Sequence, residues 1–352
     1  MGERPDSLST ITFSLATPVT PTSKFMMEPR SKRSLSSHSS VPSSELISYS
    51  SSSCSSSTVE SDIEILSYTS DTQEAFQACD RLNRSCMNPY NYDMKIIMAG
   101  GIPVIIAAMN HFKSSSSVQN RGIQALGQLS HHGSQSLMKH GGVQAVTRGM
   151  QLFPNDNVAA GMFALKTMAE VDMKLFGNIG FMEAFIPLMK ATNQNADASK
   201  SAMMVIQTLV RQHIKDGLND AWIVKETEVI SVILSLIRHH TCDPYFLEEA
   251  FYTIAQIARR KSNAKLLIEN GAIDEMNNVL QTLPTKSVWS RVAKAICTAL
   301  CKLSDEHNGE VAYNVLAQID SSTLDYIYSH HQGCRELTSK LRSRKSGNTS
   351  SK

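Results

Sequence analysis

An all-α fold is what this sequence predicts: a right-handed solenoid of short stacked helices behind a disordered N-terminal arm. Three observations predict it. A glycine-led motif recurs about every forty residues, an apolar stripe of helical period recurs in step with it, and the first 65 residues are too rich in serine to build a core. Leu, Ile, Ala and Met carry most of the 41% hydrophobic content, while aromatics are only 6%. That mix suits packed helices better than a β-sandwich.

The glycine-led motif is clearest in Met98-Ala99-Gly100-Gly101-Ile102-Pro103-Val104-Ile105-Ile106-Ala107-Ala108-Met109, echoed by Lys139-His140-Gly141-Gly142-Val143-Gln144-Ala145-Val146. Weaker copies begin at Ile179-Gly180, Thr227-Glu228 and Asn270-Gly271. Aligning Gly101, Gly142, Gly180, Glu228 and Gly271 gives spacings of 41, 38, 48 and 43 residues, within the roughly 40–47 of the longer helical repeats. The second element places small or apolar residues at i, i+3, i+4 and i+7. Gly122, Ala125, Leu126 and Leu129 form one copy, and Ala250, Thr253, Ile254 and Ile257 another. This is the stripe of a helix buried along one side. A degraded copy, Ala75 to Leu82, precedes the first full repeat.

Punctuation fits helices of modest length. A Gly-Gly pair closes one helix because glycine accepts the left-handed conformation. Pro103 falls in a first turn, where its missing N–H is not needed. Asp243-Pro244 supplies a cap followed by proline at the first helical position. Pro154-Asn155-Asp156 and Pro284 fall between helices, and Pro187 is expected to kink the helix that contains it.

On these residues the chain resembles the armadillo-repeat family over about residues 72 to 320. Ala125-Leu126-Gly127-Gln128-Leu129 and Ala164-Leu165-Lys166-Thr167-Met168 match the family's third helix. Gly122, Gly161 and the Gly-Gly-Ile motif are similar to the divergent arrays of leucine-rich-repeat kinases, although kinase motifs themselves are absent. The resemblance implies three helices per repeat, armadillo/HEAT-like stacking and a concave groove lined by the third helices. It also implies a column of asparagines gripping partner peptides, each with a tryptophan four residues before it. Here the asparagine column reads Arg81, Gln128, Thr167, Thr208, Gln256 and Lys302. The tryptophan column reads Gln77, Gln124, Phe163, Met204, Tyr252 and Thr298. Neither column keeps the family residue, which counts against binding of nuclear-localisation signals.

The groove so aligned has a character of its own. Phe163, Met204 and Tyr252 form a candidate apolar strip, the kind of anchor that carries interface energy. Gln124 also lines the groove, and Gln128, Thr167, Thr208 and Gln256 offer hydrogen bonds to a partner's backbone. Arg211, Arg259 and Arg260, near the ends of successive third helices, favour protein partners with acidic segments, and Lys302 lines the groove beyond them. The function expected is a non-catalytic interaction scaffold or adaptor. The alternative is a regulatory or assembly subunit docking rigidly on a larger complex or enzyme.

Other classes find less support. The net charge of +2 demands neither nucleic acid nor a membrane surface, and no apolar run reaches the roughly 18 residues of a membrane span. Glu3, Pro5 and Asp6 interrupt any signal-like layout, and Asp6 breaks a myristoylation motif. Gly100-Gly101 and Gly141-Gly142 lack the spacing of a phosphate-binding loop. His131-His132, His239-His240 and His330-His331 lack Cys or carboxylate partners at metal-ligand spacing, so no metal or cofactor is expected. Seven cysteines without a CxxC pair read as reduced thiols, pointing to the cytoplasm or nucleus. Cys297 and Cys301, four apart, share one helix face.

The expected domains are a disordered arm over 1–65, a repeat array over 66–320 (about five repeats plus an N-terminal half repeat), a capping segment over 321–335 and a flexible basic tail over 336–352. Fifteen of the twenty-four residues from Ser34 to Ser57 are serine, too few apolar side chains to offset the entropy of ordering. Thr17, Thr20, Ser34 and Ser36 are candidate phosphosites in that arm.

Overall fold

The computed structural model describes residues 58–87, 92–176, 180–215, 227–284, 286–305, 315, 317–319 and 321–349. The serine-rich segment and its four candidate phosphosites lie outside these residues. Among the described residues there are sixteen α-helices and no strand. In chain order they are α1 (Val59–Tyr68), α2 (Thr72–Cys86), α3 (Tyr92–Met98), α4 (Gly101–His111), α5 (Ser116–His140), α6 (Gly142–Leu152), α7 (Pro154–Val171) and α8 (Phe181–Ala191). Then come α9 (Ala196–Lys215), α10 (Thr227–His239), α11 (Pro244–Ile257), α12 (Lys261–Glu269), α13 (Ala272–Thr282), α14 (Ser287–Leu303), α15 (Ser321–His330) and α16 (Arg335–Thr349).

The helices form two layers. In one, α1, α4, α6, α8, α10, α13 and α15 each pack on the next; in the other, α2, α5, α7, α9, α11, α14 and α16 do the same. Between the layers runs one continuous apolar core, from Val59 to Leu341. Stacking is the only way each pair can hide its stripe, because a single pair has no second face to cover it. The long-range side-chain bonds carry the sequence period into space. Asn83 meets Gln124, Ser199 meets His240 and Ser290 meets His331, each 41 residues apart.

The Gly-Gly pairs hold two different glycines. Gly100 and Gly141 take φ of 77° and 75°, and Gly180 and Gly271 follow at 98° and 82°. The left-handed residue is therefore the first of each pair, one position before the sequence alignment places it. The second glycine is required for proximity. A Cβ on Gly101 would lie 2.4 Å from Ile96 Cγ2, and one on Gly142 would lie 2.4 Å from Leu137 Cδ2. Each repeat thus turns on a positive φ and then presses the next helix start onto the preceding one.

Carbonyls at the second-helix ends are satisfied from the third helix. Buried Gln119 donates to the carbonyls of Met109 (2.6 Å) and Phe112 (3.1 Å). Asn157 donates to Gly149 O at 3.3 Å, and Ser199 to Thr192 O at 3.0 Å. Asp243 caps α11 by accepting from Phe246 N at 2.8 Å, with Pro244 in the first turn, as expected. Helix α8 runs through Pro187, which stands on its exposed side.

Both ends of the array differ from expectation. Helix α1 starts at Val59, ahead of the boundary at 65, and its Val59, Ile63 and Leu66 join the core. In place of a flexible tail, Arg335–Thr349 is a helix stacked on α14, with Leu341 and Thr338 fully buried. Arg344 donates to Cys301 O and Ser304 O, both at 2.9 Å, and Lys345 to Ile319 O. Arg344 closes the carbonyl end of α14, where a positive charge is favoured. The described residues form seven helix pairs; the terminal two lack the glycine motif, as end repeats of such arrays often do, and the α10 pair has Glu228 in its place.

Candidate functional site

Helices of the third-helix layer run side by side, and their outward residues form the surface on which the sequence places its candidates. Position along each helix decides exposure, since a residue four before or after another shares its face.

The apolar strip is present but uneven. Phe163 on α7 is 51% exposed, with the Lys166 ammonium 5.4 Å from its ring centre. Met204 on α9 and Tyr252 on α11 are half-buried, and Tyr252 packs against the core edge. Burial, then the Glu248 carboxylate, raises the Tyr252 phenol above its usual range, so it stays neutral. Beyond them Tyr245 is 53% exposed, with Lys200 Nζ 5.6 Å from its ring centre.

The polar column divides into engaged and open positions. Gln124 is engaged: its Oε1 accepts from Asn83 and Arg121, both at 2.9 Å, and its Nε2 donates to Asn120. Thr167 is buried and donates its hydroxyl to Phe163 O at 3.0 Å. A threonine four residues from a helix carbonyl can bond back to it, so Thr167 does not offer a partner the hydroxyl that the sequence suggests. Gln128 is half-buried, and Thr208 lines a shallow cleft of about 220 Å³ with Glu170, Asp172 and Lys174. Gln256 accepts from Arg259 at 3.4 Å.

Charges sort along the layer. At its N-terminal end Arg121 pairs with Asp80 at 2.9 Å and Arg81 with Asp62 at 2.7 Å. Farther on, Arg291 on α14 grips Glu248 on α11 through Nε (3.0 Å) and Nη2 (2.7 Å). Arg211 donates to Gln207, and Arg259 to Gln256. Lys200, Arg211, Arg259 and Lys294 have no carboxylate partner among the described residues. Lys302 is exposed on α14, and Arg260 is half-buried at the N-cap of α12.

Sequence reading missed the lateral network Asp80–Arg121–Gln124–Asn83 and the Glu248–Arg291 pair. Their partners lie 41 to 43 residues apart, so aligning the repeats one under another would bring them together. The histidine pairs are used structurally. His240 meets Ser199 at 3.0 Å, His331 meets Ser290 at 3.0 Å, and His132 contacts Asp93 just before the break at Gly133. No single helix among the described residues is long and apolar enough to cross a membrane.

Paired layers of short helices, a left-handed glycine at the repeat boundary and neighbours one period apart define an armadillo-type repeat fold. Solved structures match it. A designed armadillo repeat protein is 17% identical with a TM-score of 0.52, covering 69% of this chain and 100% of its own. A second designed armadillo repeat protein, in complex with the peptide (KR)4, is 16% identical with a TM-score of 0.54 over 69% of this chain and 100% of its own. An engineered protein is 20% identical with a TM-score of 0.57 over 71% of this chain and 97% of its own. No protein-family model and no curated protein matches the sequence.

Proposed function

We propose that this chain is a non-catalytic scaffold whose third-helix face, from α7 to α14, binds an extended acidic segment of a protein partner. The carrying observation is the conjunction of a half-exposed Phe163 with cations that lack carboxylate partners. Lys200 and Arg211 lie on α9, Arg259 in the turn after α11 and Lys294 on α14. An aromatic anchor supplies contact area at little entropic cost, and unpaired cations supply steering and register. A designed armadillo repeat protein of similar fold is in complex with the peptide (KR)4, which supports a peptide-like partner for this chain. The charge here favours the opposite sign.

The test is titration of fluorescent peptides onto the full chain at low and physiological salt. A peptide alternating Asp or Glu with Leu or Phe is expected to bind, about tenfold or more weakly in Phe163→Ala with Tyr252→Ala, and with loss of affinity as salt rises. A basic peptide of equal length should not bind. Equal binding of both peptides, or no effect of the double substitution, would overturn the reading in favour of rigid docking through another surface.

A further inference from the structure

The sequence holds one Arg-Arg pair, Arg259-Arg260, and Lys261-Ser262 follows it directly. The pair lies in the turn that leaves α11, while Lys261 and Ser262 open α12. Arg259, Lys261 and Ser262 are exposed. The Ser262 hydroxyl donates to the neighbouring Asn263 Oδ1 at 3.4 Å, a long bond that leaves it open to solvent. This is an unfavourable way to begin a helix. The positive end of the helix dipole favours carboxylates, yet the first turn of α12 has none. Its N-cap, Arg260, gives no side-chain hydrogen bond to the unpaired N–H groups there. Three consecutive cations crowd the same pole. We propose that Ser262 is a phosphorylation site for an arginine-directed serine kinase, and that phosphate there cancels the charge of Arg259 and weakens the binding of acidic segments.

A kinase that selects basic substrates reads arginines through carboxylates of its own, because the guanidinium fork matches a carboxylate at two points. Arginines three and two residues before Ser262 offer it two such forks. Other described sites offer less. Arg238, three before Thr241, is paired with Glu275 at 2.5 Å. Thr338 follows Arg335 at the same interval but is fully buried. Arg344, two before Ser346, is held by the carbonyls of Cys301 and Ser304. In the transfer, Ser262 Oγ bonds to the γ-phosphorus of ATP, the bond from that phosphorus to its bridging oxygen breaks, and ADP leaves. The hydroxyl proton passes to the catalytic base of the kinase. Access needs the first turn of α12 to loosen. That helix is 9 residues long and buries Asn263, Ala264 and Leu267, so the opening is local. The product carries a charge of about −1.5 to −2 near pH 7, three residues from Arg259. It reverses the sign at the start of α12, where the dipole favours it. It also gives Arg259 the anionic partner that an acidic segment would otherwise supply. The weakened binding rests on the acidic-segment reading above; the modification itself does not.

The experiment incubates the full chain with ATP and the catalytic subunit of the cyclic-AMP-dependent kinase, with a synthetic arginine-containing substrate peptide in the same tube as control. Site-resolved mass spectrometry is expected to find phosphate on Ser262. Arg259→Gln with Arg260→Gln should slow that site by about tenfold or more, while the control peptide reacts as before. An unmodified Ser262 beside a fully modified control peptide would overturn the proposal, as would equal rates in the chain and its double variant. Binding is then read with the alternating acidic peptide, comparing the treated chain with treated Ser262→Ala, so that phosphate elsewhere is common to both. The treated chain is expected to bind about fivefold or more weakly than the treated variant. Equal affinity of these two would overturn the regulatory half. An untreated chain that ignores the acidic peptide would sink the acidic-segment reading and the regulatory half with it, while the mapped phosphate on Ser262 stands.

Discussion

Glu248 on α11 and Arg291 on α14 form a two-point ion pair, at 3.0 and 2.7 Å, across 43 residues of sequence. The carboxylate side chain is only 12% exposed while the guanidinium is 59% exposed, so the two partners depend on each other unequally. Arg291→Ala leaves a mostly buried carboxylate without its cation and is expected to destabilise by about 1–2 kcal/mol. Glu248→Gln, which keeps the shape and an acceptor, should cost less. A double-mutant cycle in urea measures the coupling, and a coupling of zero would make the pair incidental.

Close helix contact predicts a second result. A Cβ on Gly127 would sit 2.8 Å from Ala164 Cβ and 3.0 Å from Ala164 Cα. Replacing a helix-interior glycine by alanine gains about 1 kcal/mol of intrinsic propensity. Forcing α5 and α7 apart costs about 1–3 kcal/mol. The contact involves backbone, so the clash is expected to win and Gly127→Ala to lower the thermal midpoint. Gly333→Ala, with nothing within 4 Å, is expected to change stability by less than about 0.5 kcal/mol.

Phe163 and Phe251 separate binding from folding. Phe251 is completely buried on α11 whereas Phe163 is half exposed on α7. Phe251→Ala is expected to destabilise by about 3–5 kcal/mol. Phe163→Ala should leave stability within about 0.5 kcal/mol while weakening acidic-peptide binding. If Phe163→Ala unfolds the chain, the residue belongs to the core and not to the proposed site.

Thiol reactivity should follow burial. Burial, then the Asp62 carboxylate, pushes Cys79 up to about 12, and burial followed by Asp93 does the same for Cys86. Both groups stay protonated at any pH where the fold is studied, and the thiol is a poor nucleophile. Cys242 is exposed. Iodoacetamide at pH 8 is expected to label Cys242 at least tenfold faster than Cys79, as read by peptide mass mapping. Equal rates would mean that α2 opens readily.

The C-terminal helix predicts one more effect. Arg344 gives α14 three hydrogen bonds, to Cys301 O, Ser304 O and Ser304 Oγ. Arg344→Ala is expected to cost about 1–3 kcal/mol, the range for bonds from a charged donor. Denaturant unfolding of the full chain measures it, and no change would show that α16 packs without this clasp.

The repeat was legible because its causes are local. Gly100 and Gly141 must turn left-handed whatever surrounds them, and the stripe Gly122, Ala125, Leu126 and Leu129 must be covered by something apolar. The ends were not legible, because α1 and α16 lack the glycine signal and are helices by virtue of what they cover. Leu341 is buried in a helix that packs on both α14 and α15. Arg344 reads as a tail charge until the carbonyls of Cys301 and Ser304 are seen beside it.

The sequence by itself determined the helices, their period and the side each would bury, since helix propensity, glycine conformation and apolar spacing act within about a dozen residues. Tertiary structure alone decided which exposed groups remain available. Gln124 and Thr167 are spent on neighbours while Phe163 stays open. Hydrogen bonds and ion pairs between successive repeats depend on angstrom-scale register across 37 to 43 residues, and no local pattern along the chain specifies that distance.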